Sequence, residues 1–229
     1  MERAATKNVT VNVMKSILWR ITLACFSAGL LFLSLPNPDQ GRLAWIALVP
    51  LIVACRGLGP LSSSLIGLSF GMIAHALVFS WIFNVPEFRG VHFMLLGFYL
   101  GLYPAVWCGA LAFLRRTKLS VLIVAPALWV SLDFFKAHAG FLAFTWGNMA
   151  YTQHQNLPLL QIMTLTGEYG VTFFLVMANM ALYELIFTRA WRIALVVSVL
   201  ILAAWSWGYY EMNKTAAPGQ TIRVAVVQP

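Results

Sequence analysis

Apolar stretches fill most of the chain, and short polar breaks divide them into seven segments, at residues 17–35, 43–55, 61–83, 93–114, 119–135, 171–187 and 193–209. A bilayer core needs about 20 consecutive apolar helical residues, with roughly 17–25 tolerated. Segments 17–35, 61–83 and 93–114 meet that length, whereas 119–135, 171–187 and 193–209 lie near its lower limit. Segment 43–55 is short and has to tilt or extend into its flanks. The breaks carry helix stops at Pro36-Asn37-Pro38, Gly57-Leu58-Gly59-Pro60, Pro86 and Gly90. This pattern predicts an all-α polytopic membrane protein with about seven transmembrane helices.

Past the last segment the pattern changes. Residues 213–220 are polar and rich in Thr, Ala, Pro and Gly, and residues 222–227 are rich in β-branched side chains. The latter read as a buried first strand, which alone can neither pair its backbone nor bury its side chains. The expected organisation is a cytoplasmic N-terminus at 1–16 and a transmembrane domain at 17–210, with an interfacial segment at 136–170. Residues 211–229 are expected to be a linker and the first β-strand of a truncated α/β domain.

Charge orients these spans. Arg3, Lys7, Lys15, Arg20, Arg56, Arg115, Arg116, Lys118, Arg189 and Arg192 fall on one side, and Arg42, Arg89, Lys136, Lys214 and Arg223 on the other. Positive residues accumulate on the cytoplasmic side. The N-terminus is therefore expected inside as a retained signal anchor, and seven crossings leave the C-terminus outside. With 61% hydrophobic and 10% charged residues, the net charge of +8 is a topology signal, which removes nucleic acid as a partner. Trp81, Trp146, Trp205, Trp207, Tyr209 and Tyr210 fall near predicted span ends and suit an aromatic belt.

Segment 136–170 does not fit a plain loop. It holds Phe141, Phe144, Trp146, Met149, Tyr151, Leu157, Leu159 and Ile162, interleaved with Asn148, Thr152, Gln153, His154, Gln161 and Glu168. Such content predicts an interfacial or re-entrant piece, and either lipid binding or simple sealing of the bundle accounts for it. His75 lies mid-span, where it serves an interhelical hydrogen bond or a function. Asp133 and Lys136 stand three apart and can pair on one helix face. Glu184 can reach toward Arg189, and Glu168, in Gly167-Glu168-Tyr169-Gly170, is either a helix-start acid or a site residue. Cys25, Cys55 and Cys108 lie in apolar segments without paired spacing and read as packing residues. The sequence shows no metal cluster, phosphate loop or Ser-His-Asp set.

Several stretches, taken in order, carry a resemblance. Leu43-Ala44-Trp45-Ile46-Ala47-Leu48-Val49-Pro50-Leu51, Pro126-Ala127-Leu128-Trp129 and Gly140-Phe141 come first. Thr145-Trp146-Gly147-Asn148-Met149-Ala150-Tyr151-Thr152-Gln153, Leu157-Pro158-Leu159-Leu160-Gln161-Ile162 and Gly167-Glu168-Tyr169-Gly170-Val171-Thr172-Phe173 follow, and Ile222 to Gln228 comes last. In order and spacing these resemble the bacterial apolipoprotein N-acyltransferases. Thr145 stands where the family has Pro, and Asp133 where Glu is commoner.

The resemblance implies a multi-pass protein of the bacterial inner membrane, C-terminus periplasmic, without a cofactor. Its partners would be a phospholipid acyl donor, an apolipoprotein acceptor and membrane lipids. An acyl chain would pass through a cysteine thioester to the N-terminal diacylglyceryl-cysteine of the lipoprotein. The Glu, Lys and Cys of that chemistry belong to a nitrilase-like domain that would open at 222–227, so the resemblance implies no catalytic residue in this chain. Trp146, Tyr151, Gln153, Gln161 and Glu168 are the candidate substrate-binding residues. A non-catalytic anchor or lipid-binding scaffold is the first alternative, and a small transporter the second.

Overall fold

The computed structural model describes residues 2–117, 120–214 and 225, with side chains from residue 16 onward. The α-helices are α1 (Glu2–Ser34), α2 (Val49–Ala54), α3 (Pro60–Val78), α4 (Gly90–Leu114) and α5 (Val121–Ala137). They continue as α6 (Leu157–Leu160), α7 (Met163–Thr166), α8 (Glu168–Thr188) and α9 (Trp191–Met212). Short 3-10 turns at Gly41–Trp45, Ser80–Asn84, Gly140–Leu142 and Met149–Gln153 connect them. The described residues contain no strand, and the strand expected at 222–227 falls outside them apart from Ala225.

Five helices are long and apolar enough to cross a membrane: Ser16–Ser34, Pro60–Val78, Gly90–Leu114, Glu168–Thr188 and Trp191–Met212. Segment 119–135 becomes α5, which at 17 residues spans about 25 Å. Segment 43–55 is no continuous helix; it is the Gly41–Trp45 turn followed by the six-residue α2. Seven uninterrupted helices are thus not what the chain forms. Apolarity registers length, whereas continuity needs an unbroken backbone ladder. Pro50 lacks an N–H and opposes the Ile46 carbonyl, where the first turn ends.

A broken helix in an apolar interior must bond its freed backbone groups elsewhere. Here the partners come from two other helices. Ser27 Oγ of α1 donates to the Ala47 carbonyl. Asn179 of α8, fully buried, accepts from Leu48 N–H at 2.8 Å and donates to the Ala44 carbonyl at 2.8 Å. The segment lies antiparallel along α1. Gln40 N–H meets Leu33 O at 2.9 Å at one end, and Arg20 donates to the Ala54 and Arg56 carbonyls at the other.

These contacts define two ends of the bundle. At the basic end, Arg115 donates to Tyr183 Oη at 2.9 Å and Arg56 lies 5.0 Å over the Phe187 ring. The loop end gathers the turns at 35–41, 79–90 and 137–167, where Trp205 Nε1 donates to Asn156 Oδ1 at 3.1 Å. α3 and α4 pack most closely. A Cβ at Gly71 would lie 2.6 Å from Gly101 Cα, so only glycine permits this approach. At the centre, the buried Trp107 donates to Ala125 O at 2.9 Å and meets Trp129 edge-on at 5.1 Å.

Candidate functional site

The last turn of α5 places Asp133 and Lys136 on one face, with Oδ1 and Nζ 3.1 Å apart and both side chains buried. After α5 the chain turns back on itself, and Phe144 N–H bonds Lys136 O at 2.9 Å. Gly147 then takes φ +80°, a left-handed conformation that glycine adopts without strain. That reversal sets the buried Asn148 beside Lys136, which donates to its Oδ1 at 3.0 Å. Asn148 Nδ2 in turn donates to Glu168 Oε1 at 2.7 Å. Glu168 opens α8, where an acid complements the helix dipole. A polar chain therefore runs from Asp133 inside the bundle to Glu168 at its rim.

Tyr151 closes the rim. Its hydroxyl donates to Thr145 O at 3.1 Å, and burial, then the neighbouring Glu168 carboxylate, push its pKa up to about 12. It stays protonated at physiological pH, so it is a hydrogen-bond donor and no base. Beside it, Leu35, Leu77, Val78, Trp81, Gly147 and Tyr151 line a groove of about 340 Å³. Trp146, half-exposed, packs against Trp81 at 6.0 Å and Phe144 at 5.6 Å.

The five candidate residues from the sequence separate into two groups. Trp146, Tyr151 and Glu168 come together around the groove and the polar chain. Gln153 instead lies buried, with Nε2 bonded to Gly41 O at 2.8 Å and Oε1 accepting from Trp45 at 3.2 Å. Gln161 bonds back to Leu157 O at 3.3 Å, beside the point where Gly208 of α9 approaches. Asn148, the hinge of the network, stands 12 residues from Lys136 and 20 from Glu168. No helical or strand period links such separations, so residue type in an apolar loop was its only signal.

Segment 136–170 folds against the bundle, burying Met149, Thr152, Gln153 and Leu159 and turning Phe141, Trp146, Leu157 and Leu165 outward. Cys55 and Cys108, unpaired by spacing in the sequence, are both buried, and the Cys55 thiol donates to Ser63 O at 3.9 Å. Among the described residues no group of acids, histidines and cysteines could hold a metal ion.

Long apolar helices, a broken helix sealed by buried polar side chains, and an aromatic groove at one end define a polytopic membrane domain. The chain belongs to the family of the apolipoprotein N-acyltransferase N-terminal domain, whose profile matches residues 27–181. An apolipoprotein N-acyltransferase of Geobacter metallireducens is 33% identical over 223 residues, covering 90% of this chain and 42% of the relative. Those of Gloeobacter violaceus and Vibrio vulnificus are each 25% identical, covering 86% and 95% of this chain and 40% and 44% of theirs. The chain thus spans about two-fifths of the length of these relatives.

Proposed function

We propose that this chain is the membrane part of an apolipoprotein N-acyltransferase of the bacterial inner membrane. It anchors the chemistry and presents phospholipid, the acyl donor, beside the lipidated N-terminal cysteine of the acceptor protein. The observation that carries this reading is the groove lined by Trp81, Gly147 and Tyr151 at the loop end, with Trp146 against it and Glu168 at its rim. Apolar walls suit acyl chains, and the Glu168 carboxylate suits a polar head that brings hydrogen-bond donors. Within the candidate set, Trp146, Tyr151 and Glu168 take the substrate-facing role. Gln153 and Gln161 hold the backbone that carries them.

Transfer through a thioester needs an activated thiolate beside a base. Cys55 and Cys108 are buried at the opposite end, and Cys25 lies within α1. None of them is the proposed nucleophile. Purified chain, given phospholipid and a diacylated lipopeptide, should form neither a thioester nor a triacylated product. Joined to the remaining part of the Geobacter metallireducens relative, it should support both. Turnover by the 229-residue chain alone, or an inactive chimera that folds, would refute the reading.

The broken segment counts as a crossing in this proposal. It runs beside α1 from Leu33 to Arg20, about 20 Å at 1.5 Å per residue. With α5 it brings the crossings to seven, places the N-terminus in the cytoplasm and the loop end in the periplasm, and agrees with the charge bias. A reporter active only outside the cytoplasm should be active when fused after Lys214 and silent after Thr117. The opposite pattern would invert the topology and remove the groove from the acceptor's side.

A further inference from the structure

We infer that the basic end of the bundle holds a second lipid site, a groove between α1 and α3 that takes an anionic glycerophospholipid with its phosphate at Arg20. The groove has a volume of about 590 Å³, within the roughly 300–1,000 Å³ range of ligand pockets. Its walls are apolar: Ile17 and Ile21 of α1, Leu65 and Ile66 of α3, and Leu58 of the turn before α3. From Ser62 to Ser69 it follows α3 for about 10 Å at 1.5 Å per residue. Ile17 and Leu65 are at least half-exposed on helices long enough to cross the membrane, so the groove opens sideways toward acyl chains.

Charge selects the head. Arg20 lies four residues inside the span that begins at Ser16. Its Nη1 donates to the Ala54 and Arg56 carbonyls, which holds the guanidinium at the bundle end. Those partners are neutral. Nε has no hydrogen-bond partner, and among the described residues no carboxylate pairs with Arg20, Arg56, Arg115 or Arg116. Arg116 adds a second cation at the head of the groove, since a Cβ on Gly59, next to Leu58, would lie 3.9 Å from its Nη2. A phosphate diester supplies the missing counter-charge and the missing acceptors. Basic pockets between helices near a membrane surface recognise such heads. The Ser16 and Ser62 hydroxyls also line the groove and both donate to and accept from a glycerol head. Among the described residues no acid lines the groove, so nothing there pairs with the ammonium of a zwitterionic head.

This site is separate from the groove beside Trp81. The broken segment runs along α1 from Gln40 at Leu33 to the contacts of Arg20, which sets Arg20 at the opposite end of the bundle. Placing the lipid in the cytoplasmic leaflet rests on the topology proposed above; the binding chemistry does not.

Native mass spectrometry of the purified, delipidated full chain in dodecyl maltoside tests the site without any acyl transfer, so its failure is distinguishable from failure of the proposed activity. The probes are dioleoyl phosphatidylglycerol and dioleoyl phosphatidylethanolamine, which share their chains, and glycerol 3-phosphate, which has none. One phosphatidylglycerol should be retained per chain, about tenfold more tightly than phosphatidylethanolamine, and glycerol 3-phosphate should be lost. Arg20→Gln should lower phosphatidylglycerol retention about tenfold and abolish the preference. Arg192→Gln removes a charge outside the groove and should change neither. Ser62→Trp fills the groove from an exposed position and should weaken retention of both lipids by about tenfold. That variant decides the matter if Arg20→Gln does not fold. Equal retention of the two lipids by the unmodified chain, glycerol 3-phosphate held as tightly as phosphatidylglycerol, or an equal loss in Arg192→Gln would overturn the site. So would a preference that survives Arg20→Gln, or retention unchanged by Ser62→Trp.

Discussion

Leucine at position 179 is expected to destabilise the bundle by about 2–4 kcal/mol. Asn179 satisfies Leu48 N–H and Ala44 O, which flank the break between the Gly41–Trp45 turn and α2. Each buried backbone group left unpaired costs about 1–3 kcal/mol. Polar contacts between membrane helices often measure nearer 0.6 kcal/mol, because the separated helices find other partners. The broken segment cannot do so here, since its groups are freed by the fold itself. Leucine matches asparagine in size but offers neither donor nor acceptor. Aspartate keeps the acceptor for Leu48, loses the donor to Ala44 and adds a buried charge, so it should be at least as damaging. Reversible denaturation in mixed micelles, followed by tryptophan emission, gives the values. A change below about 0.5 kcal/mol for Asn179→Leu, the size of an ordinary surface substitution, would show that the break is sealed by something else.

Lys136→Met should cost about 3–5 kcal/mol, the penalty for leaving one member of a buried pair unpartnered. The contact is 3.1 Å long, and both side chains are nine-tenths buried or more. The loss would reach further than the pair, because Lys136 also holds Asn148, and Asn148 holds Glu168. Removing both charges in Asp133→Leu/Lys136→Met should restore most of the stability, since a well-packed apolar pair of similar volume often replaces a buried ion pair without loss. The same denaturation measurement decides it. If the single and double variants fall equally, the pair carries no special electrostatic burden, and Lys136 matters only through its contact with Asn148.

Within the candidate site, legibility followed locality. Asp133 and Lys136 were readable as a pair because three residues on a helix bring side chains onto one face. Glu168 was readable as a helix-start acid because Gly167 precedes an apolar run. The aromatic content of 136–170 was readable as an apolar surface, and the structure shows which members face outward, among them Phe141 at 97% exposure. Gln153 was drawn to the same set by its neighbours in sequence, yet its amide is spent on Gly41 and Trp45, more than a hundred residues away. Such a bond leaves no trace in local spacing. His75 and Asp133 likewise carry no common signal, because they belong to different helices that only packing sets side by side.

By itself the sequence determined that this is a helical membrane protein, where its apolar segments begin and end, and which family it belongs to. Those properties depend on local composition summed over about 20 residues, and on ordered motifs that survive without knowledge of contacts. Only the tertiary structure decided that segment 43–55 is broken rather than tilted. It also decided that Asn179 and Ser27 seal the break, and that Asp133, Lys136, Asn148 and Glu168 form one chain. Each of these is set by hydrogen-bonding groups far apart in sequence. A buried polar group takes whatever partner the fold brings within about 3 Å, and that choice is made by packing.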